Sequence, residues 1–172
     1  MSTPRLTYMA LLVGAALWCA ATVLPPALIS LGGERSVAAV LLYGFFSPLC
    51  HQLQERCLSL AGHPMAVCAR CAAIYAGFLI GTLLYPLLRS IDRPVIPPRW
   101  FIAVAVVPML LDAALGALGA HVVGTATRIA TGAACGLLLS FVLLPAALQA
   151  ACELASRRSG LSTNVQKGTS HA

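Results

Sequence analysis

Long apolar segments with almost no charge dominate this chain. They are residues 6–29, 67–88, 101–118 and 128–151, and each approaches or exceeds the roughly 20 apolar residues that an α-helix needs to cross a bilayer. Inside a bilayer no water can satisfy the backbone groups, so a segment of this length is expected to be helical. The sequence therefore predicts an all-α transmembrane helix bundle.

A shorter apolar segment leaves the number of spans open. Residues 37–49 make up only half to two thirds of a span, so they form either a fifth crossing or a short or re-entrant helix. We expect a transmembrane helical domain of four or five helices over residues 1–154, with a cysteine- and histidine-containing loop at 50–71. The Ser-, Thr- and Gly-rich residues 155–172 are expected to form a disordered cytoplasmic tail. The first apolar segment is longer than the core of a typical signal peptide, so we expect it to be retained.

The composition agrees with a membrane protein and argues against a nucleic-acid partner. Hydrophobic residues make up 59% of the chain and charged residues only 9%, far below the roughly 25% charged residues of soluble domains. The net charge of +6 comes from basic residues in short loops and in the tail, where they set the orientation of membrane helices. The expected partner is the lipid bilayer, and no small-molecule partner can be named.

The basic residues are divided unequally between the two ends of the predicted helices. With four or with five spans, the end that holds the 89–99 loop and the tail has seven of the 11 Lys and Arg residues, against four at the other end. Because basic loops stay in the cytoplasm, the C-terminus is predicted to be cytoplasmic. The chain is then a multi-pass protein of the plasma (inner) membrane, with loop 50–71 on the periplasmic or extracellular side.

Cysteine and histidine residues concentrate in loop 50–71. Cys68 and Cys71 are three residues apart at the start of a predicted helix, a spacing that lets both sulfurs face one ion or each other. Together with Cys50 and His51 they form the pattern C-H-x16-C-x2-C, which predicts a Cys3His or Cys2His site for zinc or another thiophilic metal. Other thiols and imidazoles in the outer loops are spare candidates: Cys57, His63 and His121.

The same sulfurs admit two other interpretations. A CxxC at the head of a membrane helix, with Cys50 and Cys57 as a second pair in an outer loop, resembles the layout of quinone-linked disulfide-generating membrane enzymes. An oxidising outer compartment favours this thiol-disulfide oxidoreductase, although Arg70 and His51 are not needed for such exchange. The remaining interpretation is a structural disulfide or buried thiols in an accessory membrane subunit.

Asp112 is the only acidic residue well inside a predicted span, and an ionisable group at that depth needs a partner. Arg70 and Arg128 are the cations available near the same end, so we expect either an interhelical ion pair or a functional carboxylate. Tyr75 falls on the helix face of the CxxC cysteines, where it packs or donates a hydrogen bond. These four side chains are predicted to surround the metal ligands.

Two GxxxG pairs occur in the apolar segments. Gly77 with Gly81, and Gly132 with Gly136, place small residues one helical turn apart, which allows two helix backbones to approach closely. The pairs therefore predict close helix packing. They also offer faces for a homo- or hetero-oligomer.

Together these motifs resemble a family of bacterial and archaeal integral membrane proteins that is grouped as a domain of unknown function. Its pattern is Cys-His-Gln/Arg, Glu-Arg-Ser-Phe, Pro-Val-Cys-Ala-Arg-Cys-Thr-Gly-Ile-Tyr-x-Gly-Phe, Pro-x-x-x-Asp-Gly and Arg-x-x-Thr-Gly. The matching elements here are residues 50–52, 55–58, 63–78, 108–112 and 128–132.

The resemblance implies a shared site but no activity. The residues that it groups together are Cys50, His51, Cys68, Arg70, Cys71, Asp112 and Arg128. Cys57 stands where the family has serine, which argues against a redox pair common to the family. Residues 72 and 73 are alanines in place of Thr-Gly, and Ala113 replaces the glycine after the aspartate, so contacts made by those groups are expected to differ here.

Overall fold

The computed structural model of this chain describes residues 3–31, 36–118 and 124–169. Its helices are α1 (Thr3–Ser30), α2 (Val37–Phe46), α3 (Ala69–Leu88), α4 (Trp100–Ala117) and α5 (Thr125–Thr169). Between α2 and α3 lie one turn of 3-10 helix (Gln54–Arg56) and two strands, β1 (Cys57–Leu60) and β2 (His63–Cys68). In the described residues, α1, α3, α4 and α5 are long and apolar enough to cross a membrane. The predicted transmembrane helix bundle is confirmed, with a small sheet added.

The start of α1 indicates four spans rather than five. α2 has 10 residues, so it is about 15 Å long at 1.5 Å per residue, half of the roughly 30 Å hydrocarbon core. Arg5 Nη2 donates to Asp92 Oδ2 at 3.1 Å, which puts the beginning of α1 at the same end as the 89–99 loop. Two crossings, α1 and α3, therefore separate these residues, and α2 stays at the opposite end.

α3 and α5 make the most extensive helix contact in the bundle. Gly77 and Gly81 of α3 lie against α5, Gly132 and Gly136 of α5 lie against α3, and all four are buried. A Cβ added to Gly136 would lie 2.0 Å from the carbonyl oxygen of Ile74, so only glycine lets the two backbones touch here. The predicted close packing is confirmed. The glycine faces on which we based an oligomer are occupied within the chain.

Buried clusters stabilise both ends of the bundle. At the end of the 89–99 loop, Tyr8 and Tyr85 pack among α1, α3 and α5, and the Tyr8 hydroxyl donates to the carbonyl of Thr82 at 3.1 Å. At the other end, Phe46 of α2 and Val67 of β2 are fully buried together. This second cluster supports the segment that carries the cysteines.

Loop 50–71 contains a β-hairpin that the sequence analysis missed. β1 and β2 are antiparallel, with Leu60 opposite His63 and Cys57 opposite Cys68. Ala61 and Gly62 connect them with φ values of 50° and 83°, the positive values that a type I′ hairpin turn needs at both central positions. Ala-Gly is a weaker hairpin signal than Asn-Gly or Asp-Gly, which explains why the sequence pattern predicted only a loop here.

The ends of α1 and α5 can be compared with the sequence expectation. α1 continues through Pro25 and Pro26 to Ser30, close to residue 29, where the first apolar segment ends. α5 extends through Thr169, beyond residue 155, where we placed the start of a disordered tail. No proline follows Pro145, so no residue after it lacks a backbone donor for the helix. The domain boundary at residue 154 stays a prediction.

The predicted sidedness can be tested with epitope insertions. A tag inserted between Ala61 and Gly62 is expected to bind antibody on intact spheroplasts, because the hairpin turn is exposed and lies at the end predicted to face outward. A matched tag inserted after Val95, in the loop at the opposite end, is expected to bind only after permeabilisation. The reverse labelling pattern would contradict the predicted orientation.

Candidate metal centre

Three of the predicted ligands meet where α2 ends and α3 begins. Cys50 follows the last turn of α2, and its backbone N–H donates to the carbonyl of Phe46 at 3.0 Å. Cys68 is the last residue of β2, and Cys71 lies in the first turn of α3. Among the described residues, these three sulfurs form a group of potential metal ligands that lie within 4.8 Å of one another. The strand-to-helix junction thus gives the CxxC pair its geometry.

Backbone and amide hydrogen bonds hold this junction together. The backbone N–H of Cys68 donates to Cys50 Sγ at 3.2 Å. Gln52 has a φ of 50°, and its Nε2 donates to the carbonyls of Tyr43 at 2.8 Å and Ala66 at 2.9 Å. Gln52 therefore ties α2 to β2 across the site. We did not single it out as a site residue, although it belongs to the Cys-His-Gln motif.

The surroundings of Cys68 and Cys57 shift the pKa values of these two thiols in opposite directions. The pKa of Cys68 is lowered, because the Cys71 thiol and the backbone N–H groups of Cys71 and Arg70 donate to its sulfur and outweigh the effect of burial. Burial, followed by the charges of Cys50 and Cys68, raises the pKa of Cys57 to about 11. These hydrogen bonds thus favour the thiolate form of Cys68, the form that binds metals, whereas burial favours the neutral thiol of Cys57.

His51 lies outside the sulfur group. Cys50 is buried whereas His51 is exposed on the wall of an adjoining cavity. Side chains of adjacent residues on a non-helical backbone point in different directions. Because the Cys50 side chain points into the sulfur group, the His51 side chain points away from it. The structure brings together three of the four proposed ligands, and ligation by His51 stays a prediction. Of the spare candidates, His63 lies beside the hairpin turn, and His121 falls outside the described residues.

Arg70 provides the ion-pair partner of Asp112. Its Nη2 donates to Asp112 Oδ2, with the Arg70 side chain 21% exposed and the Asp112 side chain 11% exposed. Thr131 Oγ1 also lies 3.5 Å from Asp112 Oδ2. A Cβ at Gly132 would lie 2.7 Å from the Arg70 carbonyl, so this glycine allows α5 to approach the start of α3. These contacts give the Thr-Gly part of the Arg-x-x-Thr-Gly motif a structural explanation.

Tyr75 and Arg128 take different places around the cysteines. Tyr75 packs edge to face against Trp18 of α1, with ring centroids 5.8 Å apart, which agrees with a packing role. Arg128, at the start of α5, lines the cavity beside the sulfurs. It makes no side-chain hydrogen bond or ion pair with any residue in the described part of the chain. Arg70, rather than Arg128, therefore compensates Asp112.

Two cavities adjoin the site. A cavity of about 300 Å³ is lined by Cys50, Cys68 and Cys71 together with His51 and the neighbouring loop. A second, of about 210 Å³, is lined by Asp112 and the end of α4. Arginine side chains line both: Arg56, Arg70 and Arg128. The cysteine group therefore has one side open to a space that could accommodate a small molecule.

Comparison with known proteins identifies the family. Residues 50–142, more than half of the chain, match the family described as Predicted membrane protein (DUF2085). The chain belongs to this family. One relative is Uncharacterized protein MJ1492 of Methanocaldococcus jannaschii, which is 36% identical over 107 residues that cover 62% of this chain and 69% of the relative. No solved structure matches.

The DUF2085 match covers the whole candidate site. Residues 50–142 include the three clustered cysteines, both members of the Arg70–Asp112 pair and Arg128, whereas they exclude α1, α2 and the end of α5. The resemblance to an uncharacterised membrane family is thereby confirmed. The chemistry of the site has to be argued from its own geometry.

Proposed function

We propose that this membrane protein binds a thiophilic metal ion, zinc in the first place, through Cys50, Cys68 and Cys71 at the outer face of the membrane. The single observation that carries the proposal is the approach of these three sulfurs to within 4.8 Å of one another. Sulfurs of a tetrahedral zinc site lie roughly 3.8 Å apart, given a Zn–S distance of about 2.3 Å. Side-chain rotations are sufficient to close the difference.

The site has the form of a metal centre with a free coordination position. Structural zinc sites are closed by four protein ligands, whereas catalytic sites have three and leave the fourth position to water or substrate. Here three sulfurs line a cavity of about 300 Å³, and His51 lies on its wall rather than in the sulfur group. We therefore propose a metal that can take an exogenous ligand from this cavity.

Metal analysis of the detergent-purified protein tests this proposal. We expect stoichiometric zinc, iron or copper in the wild type, and loss of at least nine tenths of it in each of Cys50→Ser, Cys68→Ser and Cys71→Ser, because a hydroxyl is a much poorer ligand for these metals than a thiolate. The measurement is elemental mass spectrometry after removal of loosely bound metal.

The matched control is Cys152→Ser, a half-buried cysteine near the other end of α5. This variant is expected to retain its metal. A monodisperse elution profile and an unchanged helical circular dichroism spectrum separate loss of metal from loss of fold. Wild-type protein that contains no metal and cannot be loaded with any would overturn the proposal.

Thiol-disulfide exchange is the second candidate, and the hairpin is the observation that favours it. The register of β1 and β2 places Cys57 directly opposite Cys68. A fourth thiol therefore lies beside the cysteine group, although the family has serine at this position. Oxidation of two thiols to a disulfide releases two electrons and two protons, which a membrane quinone would take up as quinol. A reducible disulfide between Cys68 and Cys71, or between Cys57 and Cys68, in metal-free protein would support this candidate over the first.

A further inference from the structure

Three guanidinium groups surround the space beside the cysteines. Arg56 enters from the 3-10 turn before β1, Arg70 from the first turn of α3 and Arg128 from the first turn of α5, and each lines both cavities. Asp112 is the only carboxylate that lines either cavity, within the described residues. Because the three arginines outnumber Asp112 and the Cys68 thiolate together, the walls of this space carry a net positive charge.

The hydrogen-bonding capacity of these arginines is only partly used. Arg70 donates from Nη2 to Asp112, but its Nε is buried without a hydrogen-bond acceptor. Arg128 is half-buried, and its side chain has no hydrogen-bond or ion-pair partner in the described part of the chain. Within the described residues, the ion-pair partner of Arg56 is Glu55, with Arg56 Nε 3.7 Å from Glu55 Oε1 at the exposed rim. A buried guanidinium donor without an acceptor is costly, so an acceptor from outside the chain would be favourable here.

Two helix N-termini add to the positive potential. α3 begins at Ala69 and α5 begins at Thr125, both at the end of the bundle that holds the cavities. The positive end of a helix dipole favours a nearby anion, although at α3 the backbone N–H groups of Arg70 and Cys71 already donate to the Cys68 sulfur. The helix termini and the arginines thus both favour a negatively charged ligand.

We infer that the cavity lined by Arg70 and Arg128 binds a small oxyanion, with phosphate or a carboxylate as the chemical class. The forked donors of a guanidinium match the paired oxygens of such groups. The volume of about 300 Å³ lies at the lower end of the roughly 300–1,000 Å³ of ligand pockets, which indicates a small ligand. An anion held there would face the open side of the cysteine group, but its binding requires the arginines and not the metal.

Thermal unfolding in an uncharged detergent, with inorganic phosphate added at constant ionic strength, tests the inference. Phosphate is expected to raise the Tm of the wild type in a concentration-dependent way, because a ligand that binds only the folded state stabilises it. Arg128→Gln is expected to weaken phosphate binding by about ten- to a hundredfold, the effect of losing a hydrogen bond to a charged group. Arg128→Lys keeps the positive charge but loses the forked donors of the guanidinium. Its affinity for phosphate is expected to lie between those of the wild type and Arg128→Gln.

Arg93→Gln is the matched control, because Arg93 is an exposed arginine in the loop at the opposite end of the bundle. Its response to phosphate is expected to equal that of the wild type. Arg56→Gln, a change at the exposed rim, is expected to weaken phosphate binding even if Arg128→Gln fails to fold.

Nanodiscs distinguish a free anion from a lipid headgroup. If the natural ligand is the headgroup of an anionic lipid, phosphatidylglycerol is expected to raise the Tm relative to the zwitterionic phosphatidylcholine, and Arg128→Gln is expected to remove the difference. No Arg128-dependent shift with either phosphate or phosphatidylglycerol would overturn the inference. Metal content is measured on the same samples, and retention of metal by Arg128→Gln is expected. A failure of anion binding is therefore distinguishable from a failure of metal binding.

Discussion

Replacing Asp112 with alanine is expected to lower the free energy of unfolding by about 3 kcal/mol. The reason is that the Arg70 guanidinium would remain in a largely buried position without its carboxylate, and removing one partner of a buried pair costs roughly 3–5 kcal/mol. We expect the lower end of that range because Arg70 is 21% exposed. Equilibrium unfolding of the detergent-solubilised protein, followed by circular dichroism, measures the difference.

The exposed pair between Arg5 and Asp92 is the matched control for this prediction. Their side chains are 62% and 51% exposed, so Asp92→Ala is expected to cost only about 0–1 kcal/mol. The double variant Arg70→Met with Asp112→Leu is expected to recover most of the loss, because apolar side chains can replace a buried ion pair at little cost. Equal losses from Asp92→Ala and Asp112→Ala would contradict the importance of burial.

Gly136→Ala is expected to destabilise the protein by about 3 kcal/mol, the upper end of the usual cost of overpacking. The new Cβ would lie 2.0 Å from the carbonyl oxygen of Ile74 and 2.9 Å from the backbone nitrogen of Phe78. Both are backbone atoms of α3, so no side chain can rotate to relieve the overlap, and the two helices have to separate. The same unfolding measurement applies.

Gly14→Ala, in α1, provides the control for the glycine prediction. A Cβ at Gly14 would have no atom within 4 Å, and alanine is a better helix former than glycine. This substitution is expected to be neutral or stabilising. Equal stability of Gly136→Ala and Gly14→Ala would contradict the close backbone contact between α3 and α5.

The parts of the fold that were predicted correctly depend on local pattern. The length of an apolar segment indicates a membrane helix wherever that helix packs, and the GxxxG spacing indicates close packing without naming the partner. For the same reason the CxxC pair could be placed at the start of α3, where Cys68 and Cys71 are found. The hairpin was missed because its Ala-Gly turn carries a weak local signal.

Choices between equivalent residues could not be made from pattern. Arg70 and Arg128 were both available to Asp112, and only the rotation and separation of α3, α4 and α5 select Arg70. The family motif suggested that Cys57 was marginal, yet the register of the hairpin puts it opposite Cys68. The even number of crossings also depends on a contact between Arg5 and Asp92, residues far apart in the chain.

The sequence by itself determined that this chain is an all-α membrane protein with a cysteine site at one end of its helices. Those conclusions follow from segment length, charge and short spacings, all of which act over a few helical turns. Only the tertiary structure decided that Cys50 joins the CxxC pair whereas His51 faces a cavity. It also brought three arginines to that cavity. The physical reason is that contacts between residues far apart in the chain depend on how closely α3 and α5 approach and on how the hairpin folds back, which no local pattern encodes.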